Sequence, residues 1–174
     1  MMIPKFSKNW IVLDIETTGF YADDSLLVAI GIKDRENEKI LFVRKPSEEK
    51  NVLLEFIENI KQKRIETIIG YNIINFDLPY LRAKLFLHSL NFKILDSLLK
   101  IDLFEYVKNN FRLKNKSLRE IGKKVFKIDN SESLNIPNYY LNFLENKEEK
   151  FIIEHLKDDL NITFLLAKKL EIID

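Results

Sequence analysis

Five short apolar runs, separated by polar turns, constrain most strongly what this chain folds into. Residues 10–15 (WIVLDI) predict a buried strand, and residues 26–33 and 39–44 flank the polar turn DRENE as the two strands of a hairpin. Residues 66–72 and 98–103 predict two further strands. A hairpin followed by strands that alternate with helices implies a mixed sheet with helices packed on it. We therefore expect an α/β fold built on a five-stranded sheet.

Apolar residues at helical spacing predict the helices that flank this sheet. Ser47 is a candidate N-cap for the first of them, and Ser117 with Glu120 forms a capping box that opens the third. The last helix is long and amphipathic. The predicted helices span residues 48–62, 76–86, 117–125 and 148–170.

Length and composition bound the class of protein. A chain of 174 residues is long enough for one sizeable core, and with no linker in sight we expect a single domain over 1–174. The sequence contains no run of eighteen apolar residues, so we expect no membrane-spanning helix. The first ten residues lack the apolar region of a secretory signal. The absence of cysteine excludes disulfides and thiolate metal sites. We expect a cytoplasmic protein.

Two acids stand at the end of the first predicted strand. Asp14 and Glu16 are two residues apart, so their side chains lie on the same face, about 6.5–7 Å apart along the strand. Two carboxylates on one face resist burial unless a positive charge compensates, and Mg²⁺ does this with oxygen ligands. A solvated strand end is an equally good interpretation of this short motif.

Two further groups of titratable residues have ordinary explanations when each is taken alone. Asp77 opens the second helix, where aspartate is a preferred N-cap, yet carboxyl ends of strands are also where α/β sheets place their sites. On the last helix, His155 and Asp159 are four residues apart and share a face, while Asp158 points about 100° away. An exposed helix face would explain His155, Asp158 and Asp159. Their joint occurrence with the strand acids favours one shared site.

Three segments, in order, resemble a known family. The stretch LDIETTG is similar to the first motif of the DEDD, or DnaQ-like, 3′–5′ exonucleases; YNIINFDLPYL resembles their second motif and HLKDDLNIT their third. The resemblance is to the proofreading domains of family B DNA polymerases and their small stand-alone relatives. It covers nearly the whole chain and implies a ribonuclease H-like fold. Aligning Leu160 and Thr163 with the third motif makes Asp159 the fourth acid, with Asp158 as the alternative.

The resemblance implies a metal-dependent mechanism. Two divalent ions, Mg²⁺ or Mn²⁺, are expected on Asp14, Glu16, Asp77 and Asp159, with one ion activating a water and the other stabilising the leaving 3′-oxygen. The family carries a tyrosine four residues before the last acid or a histidine five before it, whereas here His155 stands four before Asp159. We expect His155 to accept the proton of the water or to orient it.

Residues around the acids are candidates for binding the substrate. Backbone N–H groups of Thr17, Thr18 and Gly19 could contact the terminal nucleotide, and the resemblance places Asn72 near the substrate. Phe76 could stack on a terminal base, as could Phe20; for Tyr71, core packing is the better prediction. The family resemblance implies that the partner is a single-stranded 3′ end, of either DNA or RNA.

Net charge argues against a broad nucleic-acid-binding surface, because it is only +1. One local stretch, residues 112–127, holds seven basic residues, Lys114 and Lys116 among them, against the single acid Glu120. It is either a solvated helix face or a track for the backbone of a single strand.

Three functions fit the pattern. The leading prediction is a 3′–5′ exonuclease, acting in DNA repair or replication with an unknown partner protein. A non-catalytic ribonuclease H-like module that holds nucleic acid or protein is the alternative, although such a module would be marked by the loss of an acid. A ribonuclease H-type endonuclease fits the third motif less well.

Overall fold

The computed structural model describes residues 9–128, 135–146 and 149–174. Its centre is a five-stranded mixed sheet, as the apolar runs predict, built from β1 Trp10–Thr17, β2 Leu27–Lys33, β3 Glu38–Phe42, β4 Thr67–Gly70 and β5 Leu99–Asp102. The strands lie in the order β3-β2-β1-β4-β5. The antiparallel pair β2–β3 confirms the predicted hairpin, β1 pairs antiparallel with β2, and β4 and β5 run parallel to β1.

Six α-helices flank the sheet within the described residues, and all four predicted helices lie among them. The first two α-helices and the long last helix match their predicted bounds closely. Glu148, the predicted first residue of the last helix, lies outside the described residues. The helices are α1 Glu49–Gln62, α2 Asp77–Leu87, α3 Leu103–Asn110, α4 Leu118–Ile121, α5 Ile136–Asn146 and α6 Lys150–Lys169.

The capping predictions have different outcomes. Ser117 accepts a hydrogen bond from the Glu120 N–H at 3.3 Å, and a π-helical turn extends α4 from Gly122 to Phe126, close to the predicted end of that helix. The Ser47 prediction is wrong: residues 46–48 form a 3₁₀ turn, so α1 begins at Glu49 with no side-chain cap. The sequence patterns predicted neither α3 nor α5.

Both faces of the sheet are covered. One core packs α1 and α2 against strand residues such as Leu13 and Ile15. The other packs α3, α5 and α6 against the opposite face, which carries Val12. Among the residues described, no helix is both long and apolar enough to cross a membrane.

Candidate active site

Asp14 and Glu16 lie on the face of β1 that α6 covers. Ile15, between them, points into the core beneath α1 and α2, as the alternation of a strand requires. Glu16 is only 9% exposed, although it is a charged residue. The interpretation of these acids as a solvated strand end is therefore wrong for Glu16.

Asp77 lies after the connection, residues 71–76, that leads from β4, the strand beside β1, into α2. It is the first residue of α2 and is 3% exposed. The N-cap position belongs to Phe76 and has no side-chain cap, so the capping interpretation of Asp77 is wrong. Its Oδ1 instead accepts a hydrogen bond from the Ile15 N–H at 3.1 Å, which ties α2 to β1 between the two strand acids.

The third contribution comes from α6, which crosses the sheet at a glycine. Gly31 pairs with Asp14 in the sheet, and a Cβ at Gly31 would lie 2.6 Å from Leu160 Cδ1 of α6. The missing side chain therefore lets α6 approach the strand acids closely. In this position His155 Nε2 lies 3.7 Å from Glu16 Oε1 and 3.7 Å from Asp159 Oδ2.

Asp158, the alternative fourth acid, has different surroundings. Its side chain is exposed, and the charged groups that influence it are His155, Glu154 and Glu38. Partial burial raises the pKa of Asp158, and neither Asp14 nor Glu16 contributes to that shift. Asp159, by contrast, adds to the charge felt by both Asp14 and Glu16, so it is Asp159 that faces them.

Burial and mutual repulsion perturb this group of carboxyls strongly. Burial first, and then the neighbouring charges of Asp77, Asp159 and Glu16, raise the pKa of Asp14 well above its ordinary value. Burial followed by Asp159 and Asp77 raises the pKa of Glu16 to about 8. Burial raises the pKa of Asp77 to about 7, against the lowering effect of the Ile15 N–H. Such grouped perturbations are typical of functional sites.

Asp14, Glu16 and Asp77 have no lysine or arginine partner in the part of the chain that the structure describes. His155 approaches Glu16 at 3.7 Å. Among the described residues, no three or more histidine, aspartate or glutamate side chains are arranged so that they could hold a metal ion as they stand. Carboxylate oxygens that repel one another are nevertheless the chemical type of ligand that a hard divalent cation such as Mg²⁺ or Mn²⁺ prefers.

A shallow cleft adjoins the carboxyls on the α2 side. Thr17, Thr18, Gly19, Phe20 and Phe76 line it, so the structure brings together four residues predicted to bind substrate, with Phe20 beside them. The Phe20 and Phe76 rings lie 5.4 Å apart, and the Phe20 ring is 67% exposed. Residues 135–137 form the remaining wall.

Asn72 lies at the other edge of the site, in the left-handed region with φ of 63°. Its side-chain oxygen accepts a hydrogen bond from Asn75 Nδ2 at 2.9 Å. Its backbone N–H, like that of Ile74, donates to the Asp102 carboxylate, at 2.9 and 3.0 Å. Asp102 also caps α3 through the Phe104 N–H. Asp102 was not predicted from the sequence, although an acid between a strand and the start of a helix is a recognisable N-cap pattern.

Lys114 and Lys116 belong to the segment between α3 and α4. The Tyr71 hydroxyl donates to the Lys116 carbonyl oxygen, so this basic segment borders the end of β4, next to Asn72. Lys116 Nζ donates back to the Leu113 carbonyl oxygen at 2.6 Å, whereas Lys114 is exposed. The Tyr71 ring packs against Phe104 at 5.6 Å, in agreement with its predicted core role.

Comparison with known proteins agrees with this architecture. An uncharacterized protein of Methanocaldococcus jannaschii is 31% identical over 167 residues, which cover 90% of this chain and 92% of that one. The structure of the family B DNA polymerase from the hyperthermophilic archaeon Pyrobaculum calidifontis superposes on 92% of this chain with a TM-score of 0.80. At 18% identity this likeness shows the fold alone, and this chain spans only 24% of the polymerase chain.

A family model supplies the remaining evidence. The model of the RNase H superfamily matches residues 11–171, from β1 to the end of the last helix. The match covers the mixed sheet and the helices on both its faces, so the predicted ribonuclease H-like fold is confirmed. The chain belongs to the RNase H superfamily.

Proposed function

We propose that this protein is a metal-dependent exonuclease that hydrolyses phosphodiester bonds at the 3′ end of single-stranded DNA or RNA. The observation that carries the proposal is that carboxyls from β1, α2 and α6 meet at one place, where burial raises the pKa values of Asp14, Glu16 and Asp77. Proteins of the RNase H superfamily are usually nucleases, which gives the site a reaction class. The order of the motifs in the chain supports the DEDD subfamily and hence attack at a 3′ end.

Asp14, Glu16, Asp77 and Asp159 would hold two divalent ions, Mg²⁺ or Mn²⁺. When bound, such a pair lowers the pKa of a water and stabilises the charge on the departing 3′-oxygen. The donor set supports this assignment, because carboxylate oxygens are the ligands that these hard cations prefer. The charge of the ions would also attract the substrate backbone, which a protein with a net charge of +1 does not do by itself.

His155 would handle the proton of the attacking water. Its Nε2 lies between Glu16 and Asp159, 3.7 Å from an oxygen of each, so a proton taken up there would be stabilised by both carboxylates. An imidazole can exchange protons near neutral pH, which suits a general base. This histidine stands where one DEDD subtype carries a tyrosine, and we propose that it replaces that tyrosine.

Two surfaces would hold the strand. The cleft beside Phe76 offers the rings of Phe20 and Phe76 to a terminal base and the backbone of residues 17–19 to its sugar and phosphate. On the other side, Lys114 and Lys116 would contact the backbone upstream of the scissile bond. A base can enter an aromatic cleft only when it is unpaired, which favours a single-stranded end. A DNA repair or replication protein would supply the duplex context.

Strands labelled at either end test the direction and the metal dependence. Incubated with Mg²⁺, a 5′-labelled single strand should shorten as a ladder, whereas a 3′-labelled strand should release its label at once as a mononucleotide. EDTA should abolish both, and Asp14→Ala should reduce the rate by at least about a thousandfold, since it removes a proposed ligand. Asp158→Ala, one residue from Asp159 but exposed, is the matched control and should keep the full rate.

Three results would separate the alternatives. Internal fragments from the first time point would indicate an endonuclease. Binding of single strands without cleavage in Mg²⁺ or Mn²⁺ would indicate a non-catalytic module. Full activity of Asp14→Ala would remove the metal assignment altogether.

A further inference from the structure

A buried ion pair lies away from the carboxyl site, between the first residue of α1 and the middle of α2. Lys84 Nζ lies 2.9 Å from Glu49 Oε1, and the two side chains are 5% and 6% exposed. His88 Nε2 lies 2.6 Å from the other oxygen, Glu49 Oε2. The mechanism proposed above uses none of these three residues.

The pair is attached to the segment that connects β1 to β2, residues 18–26, which we name the β1–β2 loop. Lys84 Nζ donates to the Ser25 carbonyl oxygen at 2.5 Å. Glu49 Oε1 accepts the N–H of Leu27, the first residue of β2, at 2.7 Å. A third bond, 2.9 Å long, joins Ser25 Oγ to the Tyr80 hydroxyl of α2. The C-terminal half of the loop is thus tied to α1 and α2 together.

The other half of the same loop forms the substrate cleft. Thr18, Gly19 and Phe20 face Phe76, the residue directly before α2. The two halves are held together, because the Thr18 N–H donates to the Leu26 carbonyl oxygen and the Leu26 N–H donates to Thr18 Oγ1, each at 2.9 Å. A displacement at Ser25 would therefore move the wall of the cleft.

Lys84 connects this wall to the carboxyl site through a single rigid element. It follows Asp77 by seven residues on α2, about two helical turns or 10 Å along the axis. The helix that carries Asp77 and follows Phe76 thus also holds the loop that carries Phe20, whose ring lies against Phe76. A buried ion pair contributes little to stability relative to apolar residues, so fixing a geometry is a better explanation for this one.

We propose that Lys84, paired with Glu49, is a positioning residue that sets the distance between Phe20 and Phe76 and so shapes the pocket for the terminal nucleotide. This inference rests on the proposed function for its substrate. Lys84 itself touches no substrate and acts through Ser25. We call the Lys84–Glu49 pair with its bonds to Ser25 and Leu27 the tether. Its loss should weaken the binding of a strand end without changing the rate of the reaction at the carboxyls.

The double variant Glu49→Gln/Lys84→Met tests the tether without leaving a buried charge unpaired. The introduced glutamine can still accept the Leu27 N–H, whereas the introduced methionine has no donor for the Ser25 carbonyl oxygen. We expect KM for a single-stranded oligonucleotide to rise about tenfold and kcat to stay within about twofold, as for a loss of ground-state binding. Hydrolysis of bis(4-nitrophenyl) phosphate, which has no base to place in the cleft, should not change.

Arg82→Met is the matched control. Arg82 is on the same helix as Lys84, but its ion pair with Asp96 does not involve the β1–β2 loop. It should leave KM unchanged. Tyr80→Phe removes only the hydroxyl bond to Ser25 and keeps the test valid if the double variant does not fold; its KM should rise about twofold to threefold. An unchanged KM in the folded double variant, or in Tyr80→Phe if the double variant does not fold, would overturn the proposal.

Hydrogen exchange separates this inference from the proposed function. In the double variant, the amides of Thr18 and Leu26, which bond the two halves of the loop to each other, should exchange at least about tenfold faster, while those of β4 stay protected. If the wild-type protein hydrolyses neither substrate, the exonuclease proposal fails, and the exchange rates alone decide whether the tether exists. Unchanged exchange in the loop would overturn it.

Discussion

In the absence of divalent ions, the carboxyl site should make the protein less stable as the pH rises from about 5 to about 8. The perturbation is the pH itself, applied in EDTA to the wild-type protein and to Asp77→Asn. Asparagine is close to aspartate in shape and keeps an oxygen for the Ile15 N–H, but it removes one of the charges that Asp14 and Glu16 face.

The sign follows from the direction of the pKa shifts. Glu16 changes from an ordinary pKa of 4.5 to about 8 on folding, and Asp77 from 3.8 to about 7, so in these windows the folded protein holds protons that the unfolded chain has released. The free energy of unfolding therefore falls as pH rises through them. One proton retained over about three pH units corresponds to about 4 kcal/mol, an upper limit for a coupled group.

Unfolding in guanidinium chloride can be followed by the fluorescence of the single tryptophan, Trp10, which is 4% exposed. Between about pH 5 and about pH 8, we expect the wild-type protein to lose up to about 7 kcal/mol, about 4 from Glu16 and about 3 from Asp77, and Asp77→Asn to lose at most the Glu16 share. Glu49 and Asp34, whose pKa values are lowered, act only at more acidic pH. Asp158→Asn should follow the wild-type curve.

A wild-type free energy of unfolding that stays level or rises with pH in EDTA would refute this reasoning. So would an Asp77→Asn variant that is less stable than wild type at about pH 8. Saturating Mn²⁺ should reverse the trend, because the ions bind the deprotonated carboxylates and add a stabilisation that grows with pH.

Three further predictions concern single features of the site. His155→Phe should lower kcat at saturating Mg²⁺, because it removes the proposed acceptor of the water's proton; an unchanged kcat would exclude His155 from proton transfer. Lys114→Gln/Lys116→Gln should weaken single-strand binding and reduce the slope of log K against log[salt] by about 1.4, and an unchanged slope would show that these lysines do not contact phosphates. Asp102→Ala should lower the free energy of unfolding by about 3 kcal/mol, because it removes a buried acceptor of several backbone N–H groups; a loss below about 1 kcal/mol would contradict that role.

Local patterns were enough to predict the sheet and the face of it on which Asp14 and Glu16 lie. The alternation of Asp14, Ile15 and Glu16 assigned faces correctly, because a strand has a period of two whatever surrounds it. The spacing of four between His155 and Asp159 likewise follows from the helix alone. Such features depend only on neighbours in the chain.

Features that are decided by a competing neighbour or by a distant contact were missed or wrong. Ser47 has the chemistry of an N-cap, but Pro46 begins a 3₁₀ turn and delays α1. Asp77 also looks like a cap, and only its packing against β1 directs the carboxylate to Ile15. The pairing of Glu49 with Lys84 joins residues 35 positions apart, so no local pattern signals it.

Diffraction from a crystal soaked in Mn²⁺, recorded at the manganese absorption edge, most directly tests whether the carboxyl site binds metal. We predict anomalous density for bound ions among the carboxylates of Asp14, Glu16, Asp77 and Asp159, and its loss in a soaked crystal of Asp14→Ala. Ions bound only elsewhere on the surface, with none among these carboxylates, would contradict the proposal of a metal-dependent exonuclease.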